Sequence, residues 1–134
     1  MELQVGVKIL LKNKESKYLL VRRNPKKYPE VGATWDLVGG RMNPGTALID
    51  NLKREIKEEV ALEYTGTPKL VAAQDILQPD KHVVRLTYTG EIEGEPIVDE
   101  DHTEAKWFSA EEIKTLENLD IYFKELFNEG KVIL

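Results

Sequence analysis

The spacing of apolar residues changes along this chain, and the changes divide it into strands and helices. Leu3, Val5, Val7, Ile9 and Leu11 alternate with mostly polar neighbours, which predicts a half-buried strand. Asn13-Lys14-Glu15-Ser16 reads as a turn, and Tyr18–Val21 as the returning strand. Residues 24–32 hold two prolines and many charges and read as a loop. Trp35–Val38 is a short strand leading into a glycine pair. A helical period follows, from about Thr46 to Val60. Thr67–Leu77 and Val83–Ile92 read as two further strands joined through Gln78-Pro79-Asp80-Lys81, with Val84, Leu86 and Tyr88 on one face. Ser109 and Glu112 form a capping-box signature for a helix start. Leu119, Tyr122, Phe123, Leu126 and Phe127 outline a last amphipathic helix, closed by Gly130. There is no repeat and no low-complexity tract. The pattern predicts mixed α and β structure in one domain spanning residues 1–134.

The helix from Thr46 to Val60 is the most informative segment. With Leu48 at zero and about 100° per residue, Leu52, Ile56, Ile49 and Val60 fall between roughly 40° and roughly 120° as one apolar stripe. Lys53, Lys57, Asp50 and Arg54 fall between roughly 140° and roughly 240°, the face expected to meet water. Glu59 lands at about 20°, inside the edge of the apolar stripe, with Glu55 at about −20° and Glu58 at about −80°. Spacings of three and four bring these carboxylates to one side of the helix. A carboxylate leaning toward a core is costly unless paired or metal-bound.

Three anionic groups beside a glycine turn repel one another unless a cation sits among them. Hard divalent cations take carboxylate oxygens, and magnesium joins a few carboxylates to substrate phosphates. The segment therefore points to a magnesium-dependent enzyme acting on phosphates. The competing reading is an ordinary solvated Glu/Lys helix. The wheel position of Glu59 and the adjoining Gly39-Gly40 turn weigh against it.

Composition narrows the partners. The chain has 134 residues, enough to bury a real core, and a net charge of −5 with mixed signs along its length. That balance argues against a nucleic-acid polymer but not against a nucleotide, whose phosphates a magnesium ion neutralises locally. With no cysteine there is no disulfide, thiol nucleophile or cysteine-metal site. The N-terminus lacks a basic n-region, Lys8 interrupts the apolar residues that follow, and no segment is long enough to span a bilayer. The expectation is a cytoplasmic protein without a membrane partner, as a monomer or homodimer.

Residues 39–62, GGRMNPGTALIDNLKREIKEEVAL, resemble the Nudix box. That pattern is Gly, five residues, Glu, seven residues, then Arg-Glu-apolar-x-Glu-Glu-x-Gly-apolar. Gly40 fills the first position, and Arg54, Glu55, Ile56, Glu58, Glu59 and Leu62 fill later ones at the same spacing. Thr46 stands where the family has its first Glu, and Ala61 where it has its last Gly. The resemblance continues upstream through Trp35-Asp36-Leu37-Val38 and downstream through Trp107-Phe108-Ser109 and Glu111-Glu112. It implies an α/β/α sandwich around a mixed sheet (an α+β fold), similar to MutT-like members. In the family the first Glu is mainly a structural partner of the box arginine, so Arg54 is expected to lose an ion pair here. Thr46 is expected to serve as helix N-cap instead. Ala61 either takes a left-handed conformation at a cost of about 1 kcal/mol or the turn differs.

The resemblance also implies roles. Metal ligands are expected from the Gly39 carbonyl and from Glu55, Glu58 and Glu59. A further carboxylate is expected from the run Asp99–Glu104, with Glu100 and Asp101 the better candidates and His102 an exposed loop residue. The cofactor is Mg2+, with Mn2+ able to substitute. Glu55 or Glu58 is the general base, and Arg54 orients Glu55. Gly40 and Arg23 are placed against substrate phosphate, with the neighbouring Arg22 at a solvated strand end. Trp35, Tyr28 and Tyr88 are candidates to stack on a base, although an aromatic in a small domain is more often core. Asn118 lies near where small MutT-type members place a base-reading amide. The implied activity is hydrolysis of a nucleoside diphosphate linked to a further group. A (deoxy)nucleoside triphosphate or its oxidised form is favoured, releasing the monophosphate and pyrophosphate. Pro79 keeps ADP-ribose or a nucleotide sugar as the alternative. A non-catalytic nucleotide-sensing module is the alternative of another class, and retention of all three box carboxylates argues against it.

Overall fold

The computed structural model describes residues 1–30 and 32–134. Residue 31, within the expected 24–32 loop, lies outside the described residues. Among the described residues, seven strands form one mixed sheet: β1 (Glu2–Lys12), β2 (Tyr18–Arg23), β3 (Trp35–Asp36), β4 (Val38–Arg41), β5 (Lys69–Leu77), β6 (Lys81–Glu91) and β7 (His102–Phe108). The helices described with it are α1 (Leu48–Val60), α2 (Ala110–Thr115) and α3 (Ile121–Asn128).

β1 is the spine. One of its edges pairs with β6 in parallel along its full length, and all other pairings in the sheet are antiparallel. The other edge is shared: Leu11 and Lys12 pair with β2, and residues 6–9 pair with β4, with Lys8 opposite Gly39 and Val7 opposite Gly40. The box glycines are thus hydrogen-bonded into the sheet beside its central strand.

Each face of the sheet has its own core. On one, Val7, Ile9 and Leu11 meet Leu52, Ile56 and Val60 of α1. On the other, Leu10 and Leu20 meet Ile113, Phe123 and Leu126 from around α2 and α3. This is the layered arrangement that the resemblance implies. It also corrects one expectation, because residues 7–11 of β1 are buried on both faces while Leu3 is exposed. On the polar side of the alternation, Leu10 is covered by the second layer and Lys8 by its ion pair with Asp36.

Other departures are local. The expected 35–38 strand divides at Leu37, whose N–H donates to Asp36 Oδ1 at 2.7 Å; β3 pairs with β2 while β4 pairs with β1. The acidic run 99–104 is only partly a loop, since β7 begins at His102 and pairs with the end of β2. The Ser109–Glu112 capping box forms as expected, and Asp120 caps α3 by accepting from the Phe123 N–H.

Both ends of α1 bear on the departures from the box pattern. Thr46 is not the N-cap: the helix starts after Ala47, which is extended and makes no side-chain cap bond. Thr46 instead closes the preceding turn, its N–H donating to the Asn43 carbonyl at 3.1 Å. At the other end Ala61 is left-handed, with φ 57° and ψ 32°, and its N–H donates to the Lys57 carbonyl. An L-residue with a Cβ is strained there and glycine is not. Ala61→Gly should therefore raise unfolding free energy by about 1 kcal/mol in urea denaturation, and Thr46→Ala should cost far less than the ~1 kcal/mol of a lost cap. A destabilised Ala61→Gly would contradict this account of the helix end.

Candidate active site

The expected glycine turn is part of a strand: Gly39 and Gly40 lie within β4, where neither position has room for a side chain. Gly39 has φ +139°, and a Cβ there would fall 2.0 Å from the Val7 carbonyl oxygen. A Cβ on Gly40 would come within 2.9–3.0 Å of the Glu55 carboxylate. Glycine at 39 lets β4 pack against β1, and glycine at 40 lets the Glu55 carboxylate of α1 lie directly over the backbone of β4.

Glu59 is the carboxylate that the wheel turns toward the core, and it is 4% exposed. Its Oε2 accepts the Gly39 N–H at 2.8 Å. Burial pushes its carboxyl well above the usual range; Glu55 adds to the push, while Lys8 and the Gly39 N–H oppose it.

Lys8 is not among the expected site residues. Its ammonium donates to the carbonyls of Gly39 at 3.1 Å and Leu37 at 3.3 Å, and pairs with Asp36 Oδ2 at 3.1 Å. Asp36 is buried among cations: Arg85 reaches its Oδ1 at 3.1 Å and Arg23 its Oδ2 at 3.2 Å. Arg85 continues to Asp120 at 3.1 Å. Burial alone would raise the Asp36 carboxyl, but Lys8, Arg85 and Arg23 together hold it far below the ordinary carboxylate range. The sequence carries no local signal for this cluster, since Lys8 falls on the polar side of the alternation in β1.

Glu55 and Glu58 are held by Arg54, whose Nη2 donates to Glu55 Oε1 and Nη1 to Glu58 Oε2, each at 2.9 Å. Arg54 therefore leaves the water-facing side expected for it and folds back across the carboxylates. Its Nε is buried without a partner, at a chain position whose family ion-pair partner is replaced by Thr46. Asn51, fully buried, binds the same guanidinium: its Oδ1 accepts from Arg54 Nη2 at 3.1 Å and from the Asn43 N–H at 3.0 Å. Asn51 sits at about −60° on the wheel, between Glu58 and Glu55, so its place in the arc is legible though its role is not.

The three carboxylates and the glycine pair line one cleft of about 450 Å³. Of the expected residues, Gly39, Gly40, Glu55, Glu58, Glu59, Arg23, Tyr28 and Asp101 are on its wall, joined by Lys8, Arg85, Asp99 and His102. Asp101 is tied to Lys27, which holds its carboxyl below the usual range. Glu100 is a correction: it does not line the cleft, because it sits exposed at the tip of the turn, where its carbonyl accepts from Asn24 Nδ2. His102 is a second correction: its side chain is 11% exposed and faces Glu59.

Trp35 and Asn118 are a third. Trp35 packs edge-on against Phe108 at 5.0 Å, and both residues line a separate shallow cleft with Arg22 and Glu117. Asn118 is held there by its backbone, its carbonyl accepting the Trp35 N–H at 2.8 Å. Neither lines the carboxylate cleft. Tyr88 is buried in the α1-side core, and Pro79 is exposed in the β5–β6 turn. Arg22 pairs with Glu104 at 3.2 Å.

The donors that α1 and β4 bring to the cleft are all oxygen, from three carboxylates and the Gly39 carbonyl, which suits a hard divalent ion. A buried carboxylate with a raised pKa, as in Glu59, is short of positive charge, and a cation would supply it. Among the described residues no three His, Asp or Glu side chains are gathered to hold an ion as they stand, since Glu55 and Glu58 are turned to Arg54.

The helix carboxylates thus lie over the glycine pair of β4, in a cleft that also carries arginines. The model of the NUDIX domain matches residues 2–127, and the chain belongs to the Nudix family. It is a Nudix hydrolase, of a family that cleaves the pyrophosphate of nucleoside diphosphates linked to a further group and generally needs a divalent metal. The structure is similar to that of the MutT protein from Methanosarcina mazei Go1, with TM-score 0.84 and 26% identity over 96% of this chain and 92% of that one. The MutT NUDIX hydrolase from Burkholderia pseudomallei shares the fold, with TM-score 0.80 and 24% identity over 97% and 99%. So does a NUDIX hydrolase from Nitrosomonas europaea, with TM-score 0.75 and 22% identity over 97% and 91%. No curated protein matches the sequence closely enough to add to these. Among the described residues no helix is long and apolar enough to cross a membrane.

The buried charge cluster makes a stability prediction. Asp36→Asn leaves the ammonium of Lys8 and the guanidinium of Arg85 without their shared anion, and should cost about 3–5 kcal/mol. Because the folded-state pKa of Asp36 is depressed, its contribution is fully present above the unfolded value of about 3.9 and is lost as pH falls from there toward the folded value. Denaturation curves should show a constant gap between wild type and Asp36→Asn from neutral pH down to about 4, narrowing only below it. A gap that closes between pH 7 and 5 would contradict the assignment.

Proposed function

We propose that this Nudix hydrolase is a magnesium-dependent pyrophosphohydrolase of a (deoxy)nucleoside triphosphate or its oxidised form, releasing the monophosphate and pyrophosphate. The observation that carries this reading is the meeting of Glu55, Glu58, Glu59 and the Gly39 peptide on one cleft wall with Arg23 and Arg85. Glu55, Glu58, Glu59 and the Gly39 carbonyl would hold the ion, with Mn2+ able to replace Mg2+. When bound, the ion neutralises pyrophosphate oxygens and lowers the pKa of a water.

The chain's own groups do the rest. Gly40 lets phosphate approach the backbone beside Glu55 without a Cβ in the way. Arg23, anchored on Asp36 and lying over the Tyr28 ring at 5.4 Å, offers a positioned cation at the cleft wall. Glu55 or Glu58 takes the proton from the attacking water. Arg54 holds both carboxylates and so aims the base; it lies behind them, off the cleft wall. Asp101, at the cleft mouth, is the loop carboxylate within reach of the site.

Pyrophosphate release from nucleoside triphosphates should require magnesium or manganese and vanish in chelator. Glu59→Gln should lower kcat by several powers of ten, because it removes a charge that neutralises the transition state. The fold should survive, since the amide oxygen can still accept the Gly39 N–H. Robust turnover in excess EDTA, or a nearly fully active Glu59→Gln, would sink this mechanism. Screening triphosphates, oxidised triphosphates, ADP-ribose and nucleotide sugars side by side tests the substrate; preferred cleavage of ADP-ribose would overturn the triphosphate assignment.

A further inference from the structure

The segment before β7 turns back and fastens to the C-terminal half of α1. The Ile97 N–H donates to the Val60 carbonyl at 2.9 Å, and the Asp99 N–H to the Glu59 carbonyl at 3.3 Å. From there Asp99 places its Oδ1 2.7 Å from His102 Nδ1. The other ring nitrogen, Nε2, lies 3.4 Å from Glu59 Oε1. The ring is nearly buried, hydrogen-bonded to Asp99 through Nδ1 and facing Glu59 with Nε2. With the Gly39 N–H on Oε2, each oxygen of Glu59 faces a separate group.

We propose that Asp99 and His102 are positioning residues that aim the Glu59 carboxylate at the divalent ion. This rests on Glu59 being a metal ligand, as in the function proposed above. Asp99 holds the imidazole at Nδ1, which keeps Nε2 facing Glu59 Oε1 at 3.4 Å. A carboxylate ligand swings about its own side-chain bonds unless its free lone pairs are held, and such supports commonly govern metal affinity as strongly as some ligands do. The backbone tie between Asp99 and Glu59 keeps the support and the ligand in register. Lys8, the nearest ammonium, serves a different atom: it holds the Gly39 carbonyl and not the Glu59 carboxylate by hydrogen bond.

Mn2+ binding to the full chain without substrate, read by loss of the free-ion EPR signal, tests this. His102→Leu should weaken Mn2+ binding by about 10–100-fold, and Asp99→Ala, which leaves the ring unheld, should weaken it in the same direction. His102→Gln keeps a donor near the place of Nε2 and should recover most of the affinity, a rescue that loss of packing alone would not give. Denaturation in EDTA establishes that each variant is folded, and Asp99→Ala carries the test should His102→Leu not fold. Wild-type affinity in His102→Leu or, in its stead, Asp99→Ala overturns the inference, as does a His102→Gln no better than His102→Leu. A wild-type chain that binds no Mn2+ overturns the metal-site reading itself, and the inference with it.

Discussion

Asp36 is the point on which the site's geometry hangs. One buried carboxylate on β3 holds Lys8 of β1, Arg23 of β2 and Arg85 of β6, and Arg85 passes the connection to Asp120 at the start of α3. Three strands and a helix are thus referred to a single anion. Buried ion pairs are weak evidence for net stability, because desolvation offsets their attraction. Their effect here is to fix geometry: breaking the cluster leaves buried cations unmatched, so alternative packings of these strands are penalised. Lys8 carries that geometry to the Gly39 carbonyl. The peptide at the centre of the site is then held from both ends, by Lys8 at its carbonyl side and Glu59 at its N–H.

The carboxylates are organised against their own repulsion. Glu55 and Glu58 share the Arg54 guanidinium, and Glu59 is buried against a backbone donor. None of this fully neutralises Glu59, whose raised pKa expresses the deficit. A divalent ion in the cleft, as proposed above, would remove that deficit, so burial that is costly in the free protein would become binding energy for the ion. This links the position of Glu59 on the apolar edge of α1 directly to function.

Much of this is legible along the chain. The helical period places Glu59 at the edge of the stripe, the glycine pair marks the close approach, and the alternation in β1, β5 and β6 outlines the sheet. What is not legible depends on contacts between distant segments. Lys8 and Asp36 read as a polar interruption and a strand residue, because nothing local shows that two segments so far apart in the chain meet in one buried cluster. His102 reads as an exposed loop residue because an acidic run resembles solvent-facing chain, whereas β7 starts there and turns it inward. Trp35 and Asn118 point to substrate by residue type and rough position; the strand division at Leu37 sends Trp35 to the other core. Thr46 reads as a cap by propensity, yet the preceding turn takes it and the helix starts one residue later than its place would allow.

The central claim is that a divalent ion is held where Glu59, Glu55 and Glu58 face the Gly39 peptide. The most direct test is a crystal soaked in Mn2+ and measured at the manganese absorption edge. The account predicts an anomalous peak bonded to the Glu59 carboxylate and the Gly39 carbonyl, with Glu55 or Glu58 released from Arg54 to join it. A peak confined to the Asp99–Asp101 turn, or Glu59 unmoved and unbound at saturating Mn2+, would contradict it.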